Sequence, residues 1–115
     1  MSAKVVIHIF HDDPSSLNTG AHVAERIRQA KDENGIDLEV YLFGTAEKAL
    51  RAKENEPYSK AIQGLVQAGV TVHTCIDIAN SIGATQDFSA MGLELEYARD
   101  AFIRYAKEGA TVISF

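Results

Sequence analysis

Cys75 is the residue of this sequence best suited to covalent chemistry. It is the only cysteine in the chain, and it ends the apolar run 70–75, which predicts a buried strand. The segment 76–82 that follows predicts a short helix ending at Gly83. A thiol between a strand and a helix lies near unpaired backbone N–H groups, which favour the nucleophilic thiolate. The alternative is a cysteine that is buried and only packs.

Two neighbours of Cys75 act on its chemistry in opposite directions. His73 shares a strand face with Cys75, because side chains alternate along a strand, and it is placed to assist proton transfer. Asp77 puts a negative charge close to the sulfur, which disfavours the thiolate. A strand histidine more often packs or faces solvent, so a structural role for His73 stays open.

Alternating strands and helices must position these residues. The pattern predicts strands at 4–10, 36–43, 70–75, 93–95 and 110–115, and helices at 17–34, 45–55, 57–68, 76–82 and 97–108, with 85–91 unassigned. Short connections between alternating elements predict a mostly parallel sheet with helices on both faces. The expected fold class is therefore a three-layer αβα sandwich in a single domain, residues 1–115.

The second strand decides the expected order of the sheet. Asp37 and Glu39 make its start half polar, which predicts an edge strand. Five strands with the second at an edge indicate the flavodoxin-like order 2-1-3-4-5, whose switch point lies between strands one and three. Ligands bind beyond the carboxyl ends of strands at such a point, so the residues after strand one are expected to share a crevice with Cys75. These residues are Phe10, His11, Asp12 and Asp13. The two aspartates also suit a turn that complements the start of the first helix.

Composition and charge exclude several classes of function. Eleven Lys and Arg stand against sixteen Asp and Glu, a net charge of −5, and no basic stretch is interleaved with aromatics, so nucleic acid is not an expected partner. No apolar run approaches the roughly 20 residues that cross a bilayer, and no signal-peptide pattern opens the chain. We expect a cytoplasmic protein without membrane partners. The single cysteine excludes an intramolecular disulfide and Cys-rich metal sites, and the His and acidic residues lack metal-ligand spacing, so neither metal nor cofactor is predicted.

The segment 69–83 resembles the cysteine segment of the DsrE/DsrF-like (YchN-like) family of small sulfur-relay proteins. In that family a strand rich in Gly and Val ends in a cysteine, and a short helix closes at a glycine eight residues later, the places held here by Cys75 and Gly83. The first strand, the strand at 35–43 and the Glu108-Gly109 pair before the last strand fall in the same order. The resemblance therefore covers essentially the whole chain.

The resemblance implies a sulfur-relay protein of the sulfurtransferase type, in which Cys75 accepts sulfane sulfur as a persulfide and passes it to a partner thiol. It implies no cofactor, donor and acceptor proteins as partners, and a homo-oligomer, with a trimer or hexamer favoured. Many relatives carry arginine in the helix after the cysteine, where this sequence has Asp77, Asn80 and Ser81. Asp77 and Asn80 are accordingly candidates for lining the site. The alternative function is a non-catalytic homo-oligomer of the same fold that binds a small ligand or acts as a scaffold, with Cys75 structural.

Overall fold

A five-stranded sheet forms the centre of the protein, in a computed structural model that describes residues 3–115. Its strands are β1 (Ala3–Ile9), β2 (Ile36–Leu42), β3 (Thr71–Thr74), β4 (Glu94–Leu95) and β5 (Thr111–Ser114). The helices are α1 (Pro14–Ala30), α2 (Thr45–Lys48), α3 (Glu56–Gln67), α4 (Ile76–Ser81), α5 (Thr85–Ala90) and α6 (Ala98–Glu108). Short 3₁₀ turns at Ala49–Arg51 and Lys53–Asn55 lie between α2 and α3.

The strands are all parallel and lie in the order β4-β3-β2-β1-β5. This confirms the flavodoxin-like class of α/β sandwich but corrects the expected order 2-1-3-4-5. The strand predicted to lie at an edge, β2, lies at the centre between β1 and β3. Its polar residue Glu39 is only 4% exposed. The charge can be buried because Lys4 and Arg104 each bind the carboxylate at 2.8 Å. A buried ion pair therefore produced the half-polar pattern that looked like an edge.

Helices cover both faces of the sheet. On one face α1 and α3 pack against each other and enclose the larger core, with Leu17 and Ile62 fully buried between them and the strands. The chain steps from β1 to β4 in one direction, and α6 then carries it back over the opposite face to β5 at the far edge. There Tyr105 of α6 packs on Val6 and Tyr41. This crossing brings the start of α6 to the carboxyl end of the sheet.

The start of α1 agrees with the sequence prediction, and its end does not. Asp13 caps α1 as expected, with its Oδ2 accepting a hydrogen bond from the Ser16 N–H at 3.0 Å. The helix ends at Ala30, earlier than predicted, because the Asn34 side-chain amide donates to the Ala30 carbonyl at 2.8 Å and closes the last turn.

None of the helices formed by residues 3–115 is both long and apolar enough to cross a membrane.

Candidate functional site

Cys75 lies directly beyond β3 and immediately before α4, as the sequence predicts. Its backbone is still extended (φ −76°, ψ 129°), and its carbonyl accepts the first helical hydrogen bond, from Ala79 N–H at 3.1 Å. The residue is 4% exposed and packs in the cluster under α6, next to Tyr41. The thiol is thus held at the junction of strand and helix, on the face that α6 covers.

A cavity of about 430 Å³ opens beside Cys75 at the carboxyl end of the sheet. Asp77, a predicted lining residue, is part of its wall, and Arg99 places a positive charge on the same wall. The rest of the wall is largely apolar. The lining residues are Phe43, Cys75, Asp77, Ile78, Tyr97, Ala98 and Arg99. The cavity therefore combines a thiol and one charged side chain of each sign with an apolar surface, the components of a site for a small ligand.

The residues that follow β1 do not line this cavity, contrary to the expected crevice. Because β2 lies between β1 and β3, Phe43 from the end of β2 takes the place next to Cys75 that the β1 loop was expected to fill. Phe10 instead stacks on His8, with ring centroids 5.0 Å apart, and the His11 ring lies against Phe10. Asp12 and Asp13 also lie away from the cavity beside Cys75.

Asp12 lines a separate cavity beside Thr45 and Lys48, and Asp13 caps α1. Asn80 also lies outside the wall around Cys75, and its Oδ1 accepts a hydrogen bond from the Thr85 hydroxyl at 2.8 Å. Of the predicted lining residues, the structure therefore brings Asp77 alone to the cavity wall.

His73 shares the face of Cys75, as predicted, but contacts an ion-pair cluster and not the cavity. It is 8% exposed, with its Nε2 3.1 Å from Glu39 Oε2 and its Nδ1 3.4 Å from Glu96 Oε1. Only Thr74 separates His73 from Cys75 along the chain, but both ring nitrogens of His73 face the carboxylates of Glu39 and Glu96. Proton transfer between His73 and the thiol is therefore not what this arrangement favours.

Glu39 is the centre of that cluster. Arg104 donates two hydrogen bonds to its carboxylate, at 3.1 and 2.8 Å, and Lys4 approaches at 2.8 Å. The Tyr105 hydroxyl donates a further hydrogen bond. Burial acts to raise the pKa of Glu39, but the hydrogen bonds from Arg104, Lys4 and Tyr105 outweigh it and hold that pKa at about 2. Glu39 is consequently a permanent anion at neutral pH.

Glu39, His73 and Glu96 each offer one ligand atom within 4.8 Å of the others, a grouping that can suit a metal ion. The Arg104 guanidinium, however, binds both carboxylates, at 2.8 Å in each case, and Lys4 adds a second positive charge at Glu39. These cations already neutralise the oxygens that a metal would need. The grouping is best described as a structural ion-pair network that ties α6 to the sheet.

Glu47, which the sequence analysis did not single out, lies behind Cys75. It belongs to α2 and is fully buried, and its Oε1 accepts a hydrogen bond from the Cys75 backbone N–H at 3.0 Å. Its Oε2 has no hydrogen-bond partner within residues 3–115. Burial raises the pKa of Glu47 to about 8, although the Cys75 N–H and the Lys48 charge oppose the shift. At neutral pH the carboxyl group is mostly protonated.

Partial signals for these missed residues exist in the sequence. Ala46 and Leu50 have the spacing of a buried helix face. Glu47 is next to Ala46 in the sequence and is a charged residue at the border of that face. Arg99 lies in the first turn of α6, four residues after the end of β4, and β4 pairs with β3, so the correct strand order would have placed the start of α6 beside Cys75. Without that order neither residue could be connected to the thiol.

A family model described as the DsrE/DsrF-like family matches residues 4–115 of the chain. None of the curated proteins compared with it matches significantly. Among solved structures, a conserved protein of unknown function from Bacteroides thetaiotaomicron superposes with a TM-score of 0.76 at 18% identity, covering 97% of this chain and 94% of that one.

Two further structures are similar over their whole length. A protein of unknown function from Methanobacterium thermoautotrophicum has a TM-score of 0.72 at 20% identity, covering 99% of this chain and 100% of that one. The ychN protein from E. coli has a TM-score of 0.68 at 20% identity, covering 100% of both chains. At these identities the likeness shows the fold alone.

Proposed function

Because the chain belongs to the DsrE/DsrF-like family, we propose that it is a sulfur-relay protein in which Cys75 carries sulfane sulfur as a persulfide. The observation that supports this most is the place of its only thiol, on the wall of a cavity at the carboxyl end of β3. Ligands of parallel α/β sheets bind at this end. A cytoplasmic location, where thiols are kept reduced, is part of the proposal.

The proposed reaction is two successive thiol–disulfide-type exchanges. The Cys75 thiolate attacks the outer sulfur of a donor such as thiosulfate, the donor S–S bond breaks, and sulfite leaves with the bonding electron pair. The product is a Cys75 persulfide anion. An acceptor thiolate then attacks the outer sulfur of that persulfide, which restores the Cys75 thiolate and leaves the acceptor as a persulfide.

Arg99 supports an anionic sulfur donor for this site. Its side chain is 80% exposed and lines the same cavity as Cys75, so it adds positive charge where the helix after the cysteine carries Asp77. A cation at the mouth of a cavity raises the local concentration of anions. We therefore assign Arg99 the role of attracting the donor.

We expect Arg99→Ala to slow sulfur loading from thiosulfate about fivefold at low salt, because one steering charge is lost. Alkylation of Cys75 by the neutral reagent iodoacetamide should change less than about twofold, since that reaction needs no steering. Stopped-time mass spectrometry gives both rates. Arg26→Ala, an exposed arginine on α1, is the matched control. If Arg99→Ala slows loading and alkylation equally, or slows neither reaction, this role is contradicted.

Intact-mass analysis tests the proposed function itself. The native protein is incubated with thiosulfate, polysulfide or a low-molecular-weight persulfide, and unreacted thiol is then trapped with iodoacetamide. We expect the wild-type chain to gain the mass of added sulfur and the Cys75→Ser chain to gain none, because the sequence has no other thiol. Dithiothreitol should reverse the gain. A folded wild-type protein that gains no sulfur from any of these donors would overturn the proposal.

The burial of Cys75 favours a second candidate function, a non-catalytic oligomer with a structural thiol. Only 4% of the residue is exposed, as expected for a packed cysteine. In that case the thiol resists both loading and alkylation. We propose self-association under either function, because large apolar residues such as Phe10, Val112 and Ile113 are 36–41% exposed and β5 pairs on one side alone within residues 3–115. The resemblance to the family implies a trimer or hexamer. Light scattering measures the number of copies.

A further inference from the structure

The carboxyl group of Glu47 lies where the backbone changes from β3 to α4. The last residue of β3 that pairs with β2 is Thr74, so the next N–H, that of Cys75, has no strand partner across the ladder. Glu47 Oε1 accepts that hydrogen bond at 3.0 Å from the adjoining helix α2. A polar side chain with no exposed surface thus fixes the residue that carries the thiol.

The second oxygen makes this contact more than a structural cap. Glu47 Oε2 is buried and without a hydrogen-bond partner in the described chain, so nothing compensates a negative charge there. A structural acceptor for one N–H could be an uncharged amide or hydroxyl oxygen. A carboxyl group in this position adds the ability to gain or lose a charge next to the sulfur-bearing residue.

We propose that Glu47 is a positioning residue whose neutral carboxyl group holds Cys75 in its reactive place, and whose loss of a proton lowers the reactivity of the Cys75 sulfur. The inference rests on the proposed function, for which it names a control of the same site. Loss of the proton sets a carboxylate against the backbone of the residue whose sulfur must itself become an anion, and two neighbouring anions destabilise each other.

The surroundings of Glu47 leave it as the group that titrates in the relevant range. Tyr41 of β2 and Tyr58 of α3 face it, and burial raises the pKa of both phenols, so they stay neutral. Burial likewise raises the pKa of Glu47, to about 8. Other charged side chains on α2, on the turn that follows it, on α3 and on α4 are exposed to solvent: Lys48, Arg51, Glu56, Lys60 and Asp77. Glu39 of β2 is buried, but Lys4 and Arg104 bind its carboxylate.

The test is the rate of Cys75 alkylation by iodoacetamide between about pH 6 and pH 10, a range that spans the ionisation of Glu47. Iodoacetamide is neutral, so its own approach does not depend on Glu47. The variants are Glu47→Gln, which keeps a neutral amide of the same shape, and Glu54→Gln, an exposed glutamate in the next turn of chain, as the matched control.

We expect equal rates for all three proteins near pH 6, where Glu47 is neutral. Above about pH 8 the wild-type and Glu54→Gln rates should fall behind the Glu47→Gln rate by up to about tenfold, the effect of one nearby negative charge in a poorly screened site. Three superimposable profiles would overturn the role of Glu47. If they superimpose while thiosulfate still loads Cys75, the proposed function survives; if wild-type Cys75 neither alkylates nor loads, both proposals fail.

A measurement on the wild-type protein covers the case in which Glu47→Gln does not fold. Carbon-13 spectra of the glutamate carboxyl groups should contain one signal that titrates near pH 8. Spectra in which every glutamate titrates below about pH 6 would overturn the proposal, because the switch would already be ionised under all working conditions.

Discussion

Replacing Glu47 by glutamine is expected to stabilise the protein at neutral pH by about 3 kcal/mol, although the substitution adds no contact. In the unfolded chain Glu47 is ionised above its ordinary pKa of 4.5, whereas in the folded chain burial raises the pKa to about 8. Folding at about pH 7 therefore requires proton uptake. Each pKa unit between 4.5 and 7 costs about 1.4 kcal/mol, and a glutamine avoids that cost.

The sign of the pH dependence distinguishes this effect from a general packing change. A raised acid pKa in the folded state contributes stability that is complete below about pH 4.5 and is lost as the pH rises towards 8. Wild type and Glu47→Gln should thus be equally stable near pH 4 and diverge above it. Urea unfolding at fixed protein concentration measures this, with Glu54→Gln as the surface control. A variant less stable than wild type at both ends would contradict the protonated, buried carboxyl group.

Glu39 should behave in the opposite way. Hydrogen bonds from Arg104, Lys4 and Tyr105 outweigh burial and hold its pKa at about 2, so its contribution is present above the unfolded value of 4.5 and is lost as the pH falls towards 2. We expect Glu39→Gln to lose about 3 kcal/mol at neutral pH, because the shift of about 2.5 pKa units corresponds to that free energy and two cations lose their partner.

The same urea titrations check this second substitution. The difference between wild type and Glu39→Gln should be largest at neutral pH and should shrink as the pH falls towards 2, where the wild-type carboxylate itself begins to be protonated. A constant difference at all pH values would show that packing, and not the ion-pair network, causes the loss. Two buried glutamates eight positions apart in the sequence are thus expected to respond with opposite signs to the same change of residue.

Much of the fold could be read from the sequence because local patterns decide it. The β-branched run that forms β1, the Asp13-Pro14 start of α1 and the glycine at the end of α6 each act within a few residues. The position of Cys75 between β3 and α4 could be predicted for the same reason. Strand order is different, because it depends on which strands pair, and the buried Glu39 gave β2 the polar pattern of an edge.

The candidate site was predicted only where it is local. Cys75 and Asp77 lie within one strand–helix junction, so their proximity follows from the sequence. Arg99 and Glu47 lie near Cys75 only because of the strand order and the packing of the helices. Phe10 was predicted at the site from the order 2-1-3-4-5, which the sheet does not have. Long-range placement of this kind depends on the whole fold, which no short motif encodes.

The central claim, that Cys75 both receives and passes on sulfur, is tested most directly by following the sulfur atom through a discharge step. Protein loaded with isotopically labelled sulfane sulfur, freed of donor, is mixed with a reduced acceptor thiol, and both are analysed by mass spectrometry over time. The account predicts that label leaves Cys75, that the Cys75 thiol reappears, and that the acceptor gains the label in equal amount. Label that never enters at Cys75, or that stays on the chain while acceptor thiol is in excess, would contradict it.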